Sequence, residues 1–224
     1  ASWRNLNACT SINWNTIYKI FIKLVKYKII SFTYKTLLEK YLEKSSNNKF
    51  KILLTDTSTI GNKYNSNFAK RLKYYKNKKC IKISLITDIK GLPLKGAIYP
   101  GNEHDSKIFY NEFEEFTSLF PICRKACNGK FLLADAGYDS SFVRHLLEEN
   151  SYKPIIAYNK RNTKYIPAKK LNNNEKQLYK KRIKVEHTFL KIKLYKRLHF
   201  LYEKKINNYF ELLHLSFLLI YFRK

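Results

Sequence analysis

The chain has 224 residues and carries 44 lysines and arginines against 17 aspartates and glutamates, a formal net charge of +27. That length supports one substantial core with room for a small appended helical piece, and so large a positive surplus, with a pI near 9.9, calls for a polyanionic partner, nucleic acid above all. No apolar run approaches the roughly 20 residues of a membrane span, no secretory signal is read at the start, and the four cysteines lack the paired spacing of a zinc framework, so a membrane protein, a disulfide scaffold and a zinc module are all disfavoured.

Lys, Asn, Ile and Tyr are all abundant, which also fits an AT-rich coding sequence. That bias leaves the shortage of acids unexplained, because aspartate and glutamate have AT-compatible codons too. The chain contains no methionine and begins at Ala1, which predicts that residues precede it.

In chain order, residues 15–42 space Ile17, Ile20, Phe21, Leu24, Leu37, Leu38 and Leu42 at helical intervals and predict two or three short helices of a helix-turn-helix type. Residues 45–49 read as a linker, separating an N-terminal helical segment, 1–44, from a main domain, 50–224. Residues 51–55 predict a buried strand that ends on Asp56. The polar stretch 57–79 follows, where Lys70, Arg71 and Lys73 stand near Tyr74 and Tyr75. It reads either as a solvated loop or as cations for phosphates and rings for bases.

Residues 80–88 and 92–99 predict two strands joined at Lys90-Gly91 as a hairpin. Residues 105–120 predict a helix opened by His104 and Asp105, with Phe109, Phe113 and Phe116 on one side. A strand over 131–135 delivers Asp135, and Asp139 is expected to cap a helix over 140–150. A short strand over 154–157 and a buried terminal helix over 212–222 complete the order. Strands followed by alternating helices and strands predict an α/β fold with a mixed sheet flanked by helices.

On a helix, Tyr179, Arg182, Glu186 and Lys193 share one stripe, because steps of three, four and seven return to the same face. Two strand-borne acids, Asp56 and Asp135, and one helix-borne acid, Glu186, are therefore candidates to converge. Convergence would demand cations, since neighbouring carboxylates repel. Local readings stand beside this one: Asp56 capping Thr57-Ser58, Asp135 anchoring a loop through Gly137, and Glu186 pairing with Arg182.

The spacing of Tyr179, Arg182, Glu186 and Lys193, the stretch Leu132-Leu133-Ala134-Asp135-Ala136-Gly137-Tyr138-Asp139-Ser140, and the stretch from Gly91-Leu92-Pro93-Leu94 to Pro100-Gly101-Asn102-Glu103-His104-Asp105-Ser106 resemble three motifs of the DDE transposases of bacterial insertion sequences, in the same order. The resemblance is to the branch with the tyrosine, arginine, glutamate, lysine signature, closest to the insertion-sequence-five type. Trp3-Arg4 and Trp14 to Tyr18 resemble the small DNA-binding segment that precedes the catalytic domain in these enzymes.

The resemblance implies a ribonuclease H-like fold in which the first and fourth strands set Asp56 beside Asp135 and the helix of Glu186 packs across them. It implies Asp56, Asp135 and Glu186 as catalytic residues holding Mg²⁺, with Mn²⁺ as a substitute and Asp56 bridging two ions. Arg182 and Lys193 are expected on DNA phosphates and Tyr179 close by. The implied partners are double-stranded DNA, namely terminal inverted repeats and target DNA, and a second copy of the chain on that DNA. The implied location is the nucleoid, or the nucleus in a eukaryotic host. A long β-rich insertion of the insertion-sequence-four branch has no counterpart before Glu186, so the loop 158–174 is the expected DNA contact in its place. Two other functions stay open: a catalytically silent or domesticated DNA-binding protein, and a ribonuclease H-like nuclease.

Overall fold

The structure, a computed structural model, describes residues 3–43, 50–64, 66–120, 129–159 and 171–223. The expected linker 45–49, Cys123, Cys127 and most of the loop 158–174 lie outside the described residues.

The central strand is β1 (Ile52–Asn62), and it runs on well past Asp56. Thr57-Ser58-Thr59-Ile60 is rich in residues that favour extended backbone, and it continues the antiparallel ladder with β3 (Lys78–Asp88) as far as Gly61 opposite Cys80. Asp56 therefore sits mid-strand, opposite Leu85, where the sequence placed it at a strand's end. The basic stretch also contains a strand, β2 (Lys70–Leu72), paired with the start of β3.

After the hairpin turn, β4 (Pro93–Pro100) returns along the same edge of β3 that β2 occupies. Beyond β1 the sheet turns parallel, with β5 (Phe131–Ala134) against β1 and β6 (Lys153–Ile156) against β5. A short helix, α7 (Lys196–His199), leads into a two-residue strand, β7 (Phe200–Leu201), which pairs with the far end of β1 at Gly61 and Asn62. The result is a seven-stranded sheet whose main path is β2-β3-β1-β5-β6. An antiparallel meander followed by parallel strands, flanked by helices, is the ribonuclease H-like arrangement.

Two helices open the chain, α1 (Trp14–Lys26) and α2 (Ile29–Glu43), longer than the short helices expected there. The second of them, α2, lies on the terminal helix α8 (Ile206–Phe222): Tyr34 packs 5.2 Å from the Phe217 ring, and Glu211 accepts from the Ser31 N–H at 3.0 Å. Leu38, Tyr34 and Ile30 thereby join the same buried cluster as the sheet. Among the described residues no helix is long and apolar enough to cross a membrane.

The two faces of the sheet are covered by different helices. On one, α3 (Asp105–Leu119) buries Phe109, Phe113 and Phe116, and α4 (Ser141–Glu149) packs beside it. The cap of α4 is Ser140, whose hydroxyl accepts from the Val143 N–H at 3.2 Å. Asp139, expected in that role, is instead buried, paired with Arg144 at 2.8 Å and accepting from the Asn159 N–H at 2.8 Å. A shorter hydroxyl side chain one residue closer to the helix wins the cap, which leaves the carboxylate to join α4 to the chain after β6.

On the other face lie α8 and α6 (Ile183–Lys193). Gly91, at φ +76°, turns the β3–β4 hairpin so tightly against α6 that an added Cβ would stand 2.9 Å from the Lys184 carbonyl oxygen. Thr188 of α6 donates to the Gly91 carbonyl at 2.6 Å. The Asp88 carboxylate accepts from the N–H groups of Lys90 and Leu92, and Tyr41 donates to it at 2.7 Å. The hairpin thus ties α2 and α6 to one point of the sheet.

Gly96 provides a stability check, because a Cβ there would stand 2.5 Å from the buried Phe217 ring. Gly96→Ala is expected to destabilise the fold by about 1–3 kcal/mol through overpacking. In a urea-denaturation double-mutant cycle, Phe217→Leu should cost less when combined with Gly96→Ala than in the wild type. Strict additivity would show that the two residues do not compete for this space.

Candidate active site

The parallel register pairs Ile52 with Phe131, Leu53 with Leu132 and Leu54 with Leu133. Two residues further along each chain come Asp56 and Asp135, so both acids leave the core at the same level of the sheet. Asp135 stands one residue past the end of β5 at Ala134, and its Oδ1 accepts from the Gly137 N–H at 2.7 Å, opening a 3-10 turn over Ala136–Tyr138. That is the loop-anchoring contact read from the sequence.

The third acid arrives on the helical stretch after β6. It begins as α5 (Asn173–Tyr179), started by a capping box between Asn172 and Glu175, tightens through a 3-10 turn at Lys180–Arg182, and continues as α6. Residues 179, 182 and 183 all keep right-handed helical backbone, so the predicted stripe survives the change of pitch. Val185, Phe189 and Ile192 bury one side of α6 against the sheet, which turns Arg182 and Glu186 toward Asp56.

Arg182 links the two. One of its terminal nitrogens donates to Asp56 Oδ2 at 3.0 Å and the other donates to Glu186 Oε1. Its guanidinium also lies 5.9 Å from the centre of the Tyr179 ring. Burial works against that charge, yet Asp56, Tyr179, Glu186 and Asp135 together hold Arg182 above the ordinary guanidinium value. Asp56 Oδ1 accepts from the Thr57 N–H at 2.8 Å.

The Asp56 carboxyl is pushed up from 3.8 to about 6, chiefly by burial, while Arg182 and the Thr57 N–H pull it down and Asp135 and Glu186 add repulsion. Lys193 is held below the usual lysine value by burial, with the charge of Asp56 acting in the opposite sense. Tyr179 is raised, first by burial. The structure therefore gathers Asp56, Asp135, Glu186, Tyr179, Arg182 and Lys193 into one electrostatic neighbourhood.

Lys70, Arg71 and Lys73 are not part of it. Lys70 pairs with Cys80, which faces Gly61, five residues beyond Asp56 and about 17 Å along the strand. Arg71 donates to the Asn77 carbonyl at 2.8 Å and is exposed, as are Lys70 and Lys73.

A second polar group was missed from the sequence. Thr57 pairs with Ser84, so both point to the opposite face from Asp56, and there Ser84 donates to the fully buried Glu112 of α3. Burial raises the Glu112 carboxyl to about 7, with Ser84 and Lys95 opposing. The available signal was a glutamate within the apolar stripe of Phe109, Phe113 and Phe116. The Tyr138 hydroxyl, on this side of the Asp135 turn, is buried with no hydrogen-bond partner among the described residues.

The geometry defines the class first: a ribonuclease H-like domain with Asp56 of the central strand linked through Arg182 to Glu186 of the helix packed on the sheet. Residues 47–222 match the transposase DDE domain family, and the chain belongs to that family. The piggyBac transposase in a synaptic complex with hairpin DNA is similar in fold, with a TM-score of 0.50 at 11% identity over 74% of this chain. The match covers 45% of that protein, so this chain spans under half its length. The catalytic domain of the Mos1 mariner transposase gives a TM-score of 0.37 at 13% identity, over 84% of this chain and 88% of that one. No curated protein matches the chain by sequence.

The raised acid at Asp56 fixes the sign of a pH effect. With a folded value of about 6 above the ordinary 3.8, the folded protein holds the extra proton between those values, and ionisation costs stability in full above about pH 6. In metal-free buffer Asp56→Asn is therefore expected to stabilise the fold near neutral pH by about 2–3 kcal/mol, an advantage that shrinks as pH falls toward about 4. Urea unfolding across that range measures it, and an advantage independent of pH would refute the assignment.

Proposed function

We propose that the chain is the catalytic part of a DNA transposase that cleaves and joins the ends of an insertion-sequence element by phosphoryl transfer. Within the family it is placed in the insertion-sequence-four/five superfamily, nearest the five type, with Tyr179, Arg182, Glu186 and Lys193 as its signature. The observation that supports this best is the common level of Asp56 and Asp135 at the ends of a paired parallel register, with Asp56 joined through Arg182 to Glu186.

The donors suit a hard divalent cation. Three carboxylates supply oxygen ligands, and the repulsion they impose on Asp56 is relieved by positive charge. Among the described residues no three acids yet stand within ligating reach of one point, and Arg182 lies between Asp56 and Glu186. Asp56, Asp135 and Glu186 would hold Mg²⁺, or Mn²⁺ in its place, and such ions when bound activate an oxygen nucleophile and stabilise the leaving oxygen at phosphorus.

The protein's own part is positioning and charge. Arg182 presents a planar fork of donors suited to a phosphate as well as to the two carboxylates it now holds. Lys193 adds a second, partly desolvated cation, and Tyr179 packs beside the guanidinium, where its ring limits the approach of water. The substrate is double-stranded DNA, with the element's inverted repeats at one stage and target DNA at the next. Lys70 and Arg71 of β2, and Lys73 just after it, lie across β3 from the far end of β1 and suit flanking phosphates. Residues 1–44 serve as the DNA-binding segment beside the catalytic domain at 50–224, and pairing two ends calls for two copies on DNA. The site of action is wherever the element's DNA is held, nucleoid or nucleus.

Nicking of supercoiled plasmid in Mg²⁺ or Mn²⁺ tests the assignment. Wild type is expected to nick, and Asp56→Asn and Glu186→Gln to lose that activity while duplex affinity stays within a few-fold. Lys193→Ala should instead weaken binding and reduce its salt dependence by about one phosphate contact. A matching loss of affinity in Glu186→Gln would overturn the role of Glu186, and metal-independent nicking would overturn the chemistry.

A further inference from the structure

A groove of about 780 Å³ is lined by α1 and by the segment 202–208 that follows β7 in the chain. Its walls carry the rings of Trp14, Tyr18 and Tyr202 and the cations Lys26, Lys204 and Lys205. Trp3 also lines it: its ring packs 5.3 Å from Tyr18 and 5.0 Å from Phe21, with the Arg197 guanidinium 4.8 Å above it. The Trp3 indole N–H is buried without a hydrogen-bond partner among the described residues. Trp14 differs from Trp3 in standing outside the buried cluster, with the Arg4 guanidinium 5.7 Å from its ring.

Apolar rings alone would suit many occupants. Here the rings alternate with exposed lysines, and the lining acid, Glu203, is already committed to Arg197. A ligand that satisfies both must offer flat apolar faces and repeated negative charge together. A double helix offers the charge but keeps its base faces stacked inside, whereas a single strand exposes both.

The groove also connects to the reaction path. β7 pairs with Gly61 and Asn62 of β1, and just beyond that strand the exposed Tyr64 sets its ring 5.7 Å from Tyr202. From Asp56 to Asn62 is about 20 Å of strand. We infer that this aromatic and basic groove binds the unstacked bases of a single DNA strand running away from the acid site. The inference rests on the chain acting on DNA.

The chain's two tryptophans, Trp3 and Trp14, both line this groove, so tryptophan emission reports on it directly. An oligothymidylate of about eight nucleotides is expected to quench that emission and to bind more tightly than a duplex with the same number of phosphates. Trp14→Ala should weaken single-strand binding about fivefold or more, and by a clearly larger factor than it weakens duplex binding, while Trp14→Phe, which keeps a ring, should retain most of the single-strand affinity. Equal quenching by duplex, or unchanged single-strand affinity in Trp14→Ala with native circular dichroism, would overturn the inference. Tighter binding of oligouridylate than of oligothymidylate would overturn it in favour of RNA. Plasmid nicking, assayed separately, distinguishes the failures: nicking without strand-selective quenching refutes the groove alone, and loss of nicking refutes the transposase reading.

Discussion

Leu54 of β1 pairs with Leu133 of β5, and the position of the acid site follows from that register. Side chains alternate along a strand, so a slip of one residue would turn Asp56 toward α3 and put Thr57 in its place. Such a slip is opposed on both edges of β1. On one, Leu53 and Leu54 are fully buried, and moving them would expose a leucine and bury an acid. On the other, the ladder to β3 runs unbroken from Leu53 to Gly61, and every rung would have to shift together. The strand that carries the most exacting acid is thus held in register on both of its edges.

The helix bearing Arg182 and Glu186 is fixed by a different device. No ladder can align a helix with a sheet, so its height over Asp56 depends on side-chain packing and on contacts at its flanks. The hairpin around Gly91 supplies these, since Thr188 bonds a carbonyl that only a residue lacking Cβ could bring so close. Asp88, at the start of the same turn, is held by Tyr41 of α2, while Tyr34 and Tyr221 both donate to the Pro93 carbonyl at 2.9 Å. The Gly91-Leu92-Pro93-Leu94 motif, remote from the acids in sequence and without chemistry of its own, therefore orients the helix that completes the site.

Much of this was legible in the sequence because it is local or periodic. The hairpin, α3, β5 and the terminal helix each announce themselves through alternation, helical spacing or a turn glycine. The stripe of Tyr179, Arg182, Glu186 and Lys193 needed only a helical pitch, and it tolerated the tightening at Lys180–Arg182. What was not legible depends on partners far away in the chain. The extension of β1 past Asp56 exists because β3 lies alongside it, and β2 and β7 are strands only through the neighbours they join. Asp139 and Ser140 both suit a cap by type; Ser140, next to the helix, takes it, and Asp139 turns instead to Arg144 and to the Asn159 N–H, which arrives from beyond β6. Glu112 stands within the apolar stripe of α3, and its partner Ser84 reaches it only through the folding of β3 beneath that helix.

The distribution of charge separates the acid site from the rest of this very basic molecule. Some acids and bases meet at accessible positions, as in Lys35 with Glu39 or His145 with Glu149, and such pairs hold the fold by little and yield readily to a phosphate, while Arg144 with Asp139 and Arg197 with Glu203 are more buried. Arg182 is different, being largely buried and shared by two carboxylates, one of which is itself lifted toward neutrality by its surroundings. A phosphate that takes the guanidinium would strip both acids of their counter-charge, and the largely buried Asp56 has little water to replace it. Either the acids take up protons or another cation must arrive to hold them. Under the proposed function the second course applies, and binding of phosphate and of cation then become mutually favourable. The same arginine that neutralises the site in isolation would couple the arrival of DNA to the filling of the acidic site.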